Sequence, residues 1–155
     1  MFGVRRTHPV VAVLAGGIAA GVLDIVYAFV LSAMDGRKPI GAVQSVAAGV
    51  LGREAYQGGM ETAAIGLALH IGILIVAALV YLLIAQRVKL VRRHWILAGT
   101  LFGIGVYLFM NFVVLPLSAV PFKLTYPLEV LLQGFVSHAL LVGLPIAWCV
   151  KKWGP

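Results

Sequence analysis

The sequence predicts an all-α membrane protein in which four transmembrane helices form one domain over residues 1–155. Of the 155 residues, 62% are apolar and 11% are charged, and the mean hydropathy is +1.05. A soluble domain has about a quarter charged residues and about half or fewer apolar ones, so most of this surface must face lipid. Four apolar runs of about 20 residues, separated by charged connections, use most of the chain.

The first two spans are predicted at residues 9–34 and 62–86. Pro9 suits the first turn of a helix, where its missing N–H costs nothing. Asp35-Gly36 supplies a stop after the first span. The second apolar run contains no Asp, Glu, Lys or Arg, which is typical of a helix that crosses lipid.

The connection between these spans predicts a short interfacial helix at residues 39–52, on the outer side of the membrane. It is too short to span, and several apolar side chains fall near one helical face: Ile40, Val43, Ala47, Val50 and Leu51. The alternative is a loop packed over the mouth of the bundle.

The third and fourth spans are predicted at residues 95–115 and 127–150. Pro116 ends the third, and Lys151 and Lys152 close the fourth. The segment 116–127 between them contains three prolines and cannot form one helix.

The positions of the positive charges predict that both termini are cytoplasmic, in the inner membrane of a bacterium. Eight of the twelve Lys and Arg residues lie in the N-terminal arm, in the connection at 87–93 and at the C-terminus. The other four lie in the two remaining connections. Connections rich in Lys and Arg stay on the cytoplasmic side.

Several function classes are disfavoured by the sequence. The net charge of +7 comes from residues between apolar runs, where orientation and lipid head groups explain it, so no nucleic-acid partner is expected. Cys149 is the only cysteine, which excludes an internal disulfide. No nucleophile elbow, metalloprotease motif, phosphate loop or Cys-x-x-Cys is present, so we predict that the protein is not an enzyme.

Four polar residues inside the spans predict a polar centre: Asp24, His70, Asn111 and His138. At 1.5 Å per residue, Asp24 and His138 lie about 15 Å from the outer ends of their spans, His70 about 12 Å and Asn111 about 6 Å. All four therefore fall in the outer half of the membrane or near its midplane.

Both histidines follow a glycine by four residues, as Gly66-x-x-x-His70 and Gly134-x-x-x-His138. Each glycine lies on the same helix face as its histidine, one turn toward the outer side. The repeated pattern is consistent with duplication of a two-helix unit.

Three interpretations of the histidine pair remain open. The histidines bond Asp24, Asn111 or backbone carbonyls while the glycines let helices approach. Alternatively, His70 and His138 bind a b-type haem or a metal ion, and the glycines make room for a flat macrocycle. In the third, Asp24 and the histidines carry a proton or another ion from the outer side.

Three stretches resemble a group of uncharacterised small bacterial inner-membrane proteins. They are Ala20-Gly-Val-Leu-Asp-Ile-Val-Tyr-Ala-Phe29, Ala47-Ala-Gly-Val-Leu-Gly52 with Gly58-Gly59, and Val106-Tyr-Leu-Phe-Met-Asn-Phe-Val-Val-Leu-Pro-Leu-Ser118. The order of helices is also distantly similar to that of the YagU-like family. These resemblances imply the fold and the membrane location, and they assign no activity.

The leading functional prediction is a non-enzymatic accessory or interaction subunit, with the lipid bilayer and a larger membrane complex, or further copies of the chain, as partners. The small residues of the first span, Gly16, Gly17, Ala20 and Gly21, form a face suited to close helix packing, within the chain or against a partner. The alternatives are a component that binds haem or metal and a proton or ion relay.

Overall fold

The computed structural model describes residues 8–123 and 125–154, which contain helices and turns and no strand. Four helices are long and apolar enough to cross a membrane, which confirms the predicted fold class. In chain order the helices are α1 (Pro9–Met34), α2 (Ile40–Leu51), α3 (Gly59–Arg87), α4 (Lys89–Arg93), α5 (Trp95–Val114) and α6 (Leu128–Trp153).

The spans begin and end within a few residues of the predicted positions. The largest differences are three residues, at the end of α6, which continues to Trp153, and at the start of α3, which begins at Gly59. Gly59 has a φ of +55°, which glycine adopts readily, and Glu61 lies in the first turn, where a carboxylate favours the positive end of the helix dipole. Residues outside the apolar run therefore extend this helix.

The short helix predicted between the first two spans is present as α2, and it packs against α1 and α3. Its buried face contains Val43, Gln44, Ala47 and Ala48. The Gln44 amide donates to the Gly59 carbonyl at 3.1 Å, so a polar side chain belongs to this buried face. Val50 is 66% exposed and Leu51 39% exposed, so the buried face is rotated away from the predicted apolar one.

The four spans pack in the spatial order α3, α1, α6, α5. Glycines of α1 make the close contacts, because a Cβ at Gly17 would lie 2.5 Å from the Cα atom of Ile75 in α3. On the other side, a Cβ at Gly16 would lie 3.3 Å from the Cβ atom of Cys149 in α6. The small-residue face of α1 is therefore used for packing within the chain.

Helices α3 and α5 follow each other in the chain but do not pack closely. The rings of Tyr81 and Phe102 meet edge to face, with centroids 5.0 Å apart. Beside this contact an apolar groove of about 820 Å³ lies between the two helices. We call it the α3–α5 groove.

The two ends of the bundle differ in charge. At one end His8 donates its backbone N–H to the Trp153 carbonyl at 2.7 Å, and Lys151 lies 4.6 Å from the ring centroid of Trp95. We call this the basic end; its described residues include six Lys and Arg and no Asp or Glu: Arg87, Lys89, Arg92, Arg93, Lys151 and Lys152. Arg5 and Arg6, predicted to lie at the same end, are outside the described residues.

The opposite end, which we call the loop end, holds α2 and the segment 115–127. There the Ala119 N–H donates to the Gly49 carbonyl at 2.9 Å. Its charged residues balance, with four basic and four acidic side chains: Arg37, Lys38, Arg53, Lys123, Asp35, Glu54, Glu61 and Glu129.

Candidate functional site

Asp24, His70 and His138 meet at the middle of the bundle, and we call this cluster the polar centre. The Asp24 carboxylate lies between the two imidazoles, 3.7 Å from Nε2 of His70 and 3.9 Å from Nδ1 of His138. The three side chains come from three different spans, α1, α3 and α6. They are between 11% and 21% exposed, so the ionisable groups are largely removed from solvent and lipid.

The three residues lie at one depth. Counted from the loop end of each helix, Asp24 is ten residues from Met34, His70 is eleven from Gly59 and His138 is ten from Leu128. At about 1.5 Å per residue these separations are about 15–17 Å, half of a hydrocarbon core of about 30 Å. His70 lies deeper than the predicted 12 Å because α3 begins earlier than predicted.

His70 is fixed by the backbone of α1. Its Nε2 lies 3.1 Å from the Gly21 carbonyl, and since a carbonyl only accepts, this bond places a proton on Nε2. Gly21 has no side chain to block the approach of α3, and a Cβ there would lie 2.5 Å from Cδ1 of Ile71. One turn nearer the loop end, Gly66 contacts the Val43 carbonyl of α2, so α2 covers this side of the histidine.

His138 is held by α5 and by its own helix. The Tyr107 ring meets the imidazole edge to face with centroids 4.9 Å apart, and a Cβ at Gly134 would overlap that ring. Ser137 Oγ lies 3.3 Å from Nδ1 of His138 and 3.1 Å from the Gly134 carbonyl. Gly134 thus makes room for Tyr107, which orients the histidine.

A π-helical segment starts at His138 and continues to Gly143. Such segments interrupt the regular α-helical ladder and are frequent at functional sites. The backbone of α5 reaches this segment through two glycines one turn apart, since a Cβ at Gly103 would overlap the His138 carbonyl and a Cβ at Gly99 would lie 2.9 Å from the Gly143 carbonyl. The π-helical segment and the glycine contacts together set the position of His138.

The surroundings of the polar centre differ toward the two ends. Toward the loop end, Gln133 donates to the Tyr27 hydroxyl at 2.8 Å and links α6 to α1. Toward the basic end lies a core of eleven buried residues, of which only Tyr81 has a polar side chain: Ala12, Ala20, Leu74, Ala78, Tyr81, Leu82, Ala85, Val142, Ile146, Ala147 and Val150. Toward the loop end, polar side chains therefore lie between α1 and α6, while Ile25, Val43 and Ala63 form a small apolar cluster between α1, α2 and α3. The larger apolar core lies toward the basic end.

Asn111, the fourth residue of the predicted centre, has a local partner. Its side-chain amide donates to the Tyr107 carbonyl of the same helix at 2.9 Å. It lies three residues from the end of α5, within a second π-helical turn at Met110–Val114. The structure therefore brings together three of the four predicted residues and places Asn111 nearer the loop end.

The glycines of the two Gly-x-x-x-His patterns contact protein atoms, the Val43 carbonyl at Gly66 and the Tyr107 ring at Gly134. A flat macrocycle would need that space, so the contacts favour the packing interpretation of both glycines. Among residues 8–123 and 125–154, no group of three His, Cys, Asp or Glu side chains is arranged to hold a metal ion.

Sequence reasoning missed Tyr107 and the π-helical segment of α6. Pro145 is the signal for the second feature, because a proline inside a helix removes one backbone donor and disturbs the preceding turn. Tyr107 had no comparable signal, since an aromatic residue in an apolar span is unremarkable by sequence. The glycine at Gly134 predicts a close contact beside His138, but the sequence does not show that the Tyr107 ring makes this contact.

Comparison with known proteins found no matching family model, no matching curated protein and no matching solved structure. The predicted resemblance to small bacterial inner-membrane proteins stays a prediction. The chain is a small protein with four candidate membrane spans and a polar centre at their midpoint.

Proposed function

We propose that this is a non-enzymatic membrane protein that binds protons reversibly at the polar centre and so responds to the pH on its loop-end side. The observation that carries the proposal is the Asp24 carboxylate, which lies within 4 Å of one nitrogen on each of two imidazoles at the depth of the midplane. Ionisable groups at this depth are costly and in general serve a purpose.

The chemistry of the centre supports proton binding. A carboxylate and two imidazoles can share one or two protons, because each imidazole can accept or donate a proton at its ring nitrogens. One proton on either imidazole compensates the Asp24 charge, which would otherwise stand unpaired in a site of low polarity. The phenol of Tyr107 in α5 also lies beside the centre, against the His138 ring, and α2 contributes no titratable group.

The direction of access is proposed from the same contacts. Tyr27, Gln133 and Ser137 provide polar groups on the loop-end side, and the apolar core closes the other side. This arrangement favours proton binding from one side over a relay across the membrane. In vesicles that contain a pH-sensitive dye and carry an imposed membrane potential, we expect no proton flux above that of empty vesicles.

The orientation in a bacterial inner membrane is part of the proposal. The sequence assigns eight Lys and Arg and no acidic residue to the basic end, while charges at the loop end cancel. The positive-inside rule then places the basic end and both termini in the cytoplasm, with the polar centre reached from outside. An accessory role in a larger complex stays a prediction, since the small residues of α1 are used within the chain.

A nitrogen-15 NMR titration of the four histidines tests proton binding. We expect the signals of the two imidazoles of the centre to change with pH, and we expect this change to differ in Asp24→Asn. The signals of His8 and His94, which lie outside the centre, should be the same in Asp24→Asn as in the unmodified protein. Asp35→Asn is the matched control, because Asp35 is an exposed carboxylate paired with Arg37.

The outcome against the proposal is equally clear. If the signals of neither His70 nor His138 change with pH, or if both behave identically in Asp24→Asn, the centre is a fixed packing element. A flux that Asp24→Asn abolishes would replace one-sided binding with a relay across the membrane.

A further inference from the structure

The α3–α5 groove has the shape of a site for one extended apolar chain. It runs along α5 from Leu97 to Met110, thirteen residues or about 20 Å, and its lining continues at the basic end to Leu90 and His94, which we call its mouth. This length exceeds the depth of one leaflet, which is about half of a 30 Å core. Its volume of about 820 Å³ is within the range of pockets that bury small molecules.

The walls of the groove exclude a polar ligand. Val76 and Val80 of α3 face Leu101 and Gly105 of α5, and the other wall residues between the mouth and Met110 are apolar or aromatic. Pockets for polar molecules carry a few side chains that fix the ligand by hydrogen bonds. In this groove the polar side chains are His94, at the mouth, and Tyr81. The Tyr81 hydroxyl is buried and has no hydrogen-bond partner among the described residues.

A single acyl chain matches this apolar lining, because it needs no partner for hydrogen bonds. The groove therefore suits a lipid chain.

The charges at the mouth indicate which lipid. The connection between α3 and α5 carries four exposed basic side chains, and no described residue of the basic end is acidic: Arg87, Lys89, Arg92 and Arg93. Basic residues beside a gap between transmembrane helices bind anionic lipid head groups. We propose that the α3–α5 groove binds one acyl chain of an anionic phospholipid whose head group contacts the α3–α5 connection. This inference does not depend on the proton-binding proposal.

Native mass spectrometry of the full chain in mild detergent, with added phosphatidylglycerol or phosphatidylcholine of the same acyl chains, tests the site. We expect one tightly retained phosphatidylglycerol and weaker retention of phosphatidylcholine. Neutralising two charges in Lys89→Gln/Arg93→Gln should weaken phosphatidylglycerol binding roughly 30-fold. Arg37→Gln/Lys38→Gln, at the loop end, is the charge control and should bind like the unmodified protein.

A variant that fills the groove tests the acyl-chain site. Gly105 lines the groove and has open space around its Cβ position, so Gly105→Leu should fold and lower phosphatidylglycerol retention at least about tenfold. Gly72→Leu adds the same side chain at an open position outside the groove and should change nothing. Equal effects of the two substitutions, or equal retention of the two lipids, would overturn the proposal.

Photo-crosslinking of the unmodified protein gives a readout that needs no variant. Phosphatidylglycerol with a photoreactive acyl chain should label peptides covering residues 73–84 and 97–110. Labelling spread evenly over all four spans would indicate only surrounding lipid. A dimer that Gly105→Leu dissociates would instead identify the groove as an interface between copies of the chain, which also overturns the lipid site.

Discussion

The polar centre and the α3–α5 groove both lie between transmembrane helices, and they differ in how the space is used. Three ionisable side chains occupy the polar centre, whereas the groove is left open. At the polar centre, α1 approaches α3 through Gly21, and three ionisable side chains from α1, α3 and α6 meet. Closer to the basic end, Gly17 and Gly16 bring α1 against α3 and α6. At the groove, α3 and α5 face each other through large apolar side chains and leave about 820 Å³ open.

Chain order does not explain this difference. Helices α3 and α5 are joined by one short connection, yet they remain apart, while α1 and α6 are the first and last spans and pack closely. Lipid is as apolar as a leucine side chain, so burying apolar area gives little drive for helix association in a membrane. Small residues allow two helix backbones to come close and so decide which helices pack together. Polar side chains then meet where these helices are in contact.

Removing one partner from the polar centre should have the largest effect on stability. His70→Ala leaves the Asp24 carboxylate with one imidazole and the Gly21 carbonyl without its donor. We expect a loss of roughly 3 kcal/mol, the upper end of the cost of leaving a buried polar group without its partner. Unfolding titrations in mixed micelles measure this loss.

A double-mutant cycle separates the charge interaction from the lost packing. In the Asp24→Asn background, His70→Ala should cost about 2 kcal/mol less, because no charge is left unpaired. His94→Ala, at the basic end, should show no coupling to Asp24→Asn. Additive effects of His70→Ala and Asp24→Asn would mean that the two side chains do not interact. The polar centre would then not differ from the groove in the way described above.

The next largest effect concerns the backbone contact that positions His138. Gly103→Ala places a methyl group against the His138 carbonyl, and we expect this overpacking to cost about 1–3 kcal/mol. Gly105→Ala, two residues away in the same helix, points into open space at the groove. It should stabilise α5 by up to about 1 kcal/mol, because alanine favours helix.

Thermal unfolding of the two alanine variants makes this comparison. If Gly103→Ala and Gly105→Ala have the same midpoint, the glycines of α5 are not what distinguishes the packed side of this helix from the open one.

The smallest effect should come from Tyr81, which lies where the apolar core meets the groove. Its hydroxyl is buried without a partner among the described residues, so Tyr81→Phe should raise stability by about 1 kcal/mol. Tyr107→Phe is the matched control, because the Tyr107 hydroxyl donates to the Val130 carbonyl at 3.3 Å and its loss should cost about 0.5–1 kcal/mol. A loss of stability in Tyr81→Phe would show that this hydroxyl has a partner.

The fold was predictable because membrane spans are set by length and hydropathy, which are properties of the sequence. The residues of the polar centre were predictable for a related reason, since Asp24, His70 and His138 are rare residue types at that depth. Asn111 was grouped with them as a polar residue inside a span, but an asparagine side chain can bond a carbonyl one turn back in its own helix.

The features that could not be predicted depend on which helix faces which. The groove exists because α3 and α5 diverge, and nothing in either apolar run indicates that divergence. The rotation of α2, which buries Gln44 and exposes Val50, likewise depends on carbonyl acceptors that only the folded α3 provides. Periodicity gives the apolar face of a helix and does not give its partner.

The most direct test of the account changes the pH on one side of the membrane at a time. Protein labelled with nitrogen-15 histidine is placed in vesicles with a single orientation, and the signals of His70 and His138 are followed while only the outer or only the inner pH is varied. The account predicts that these signals follow the pH at the loop end and ignore the pH at the basic end. Signals that follow the basic-end pH, or both, would contradict it by showing a proton path through the apolar core.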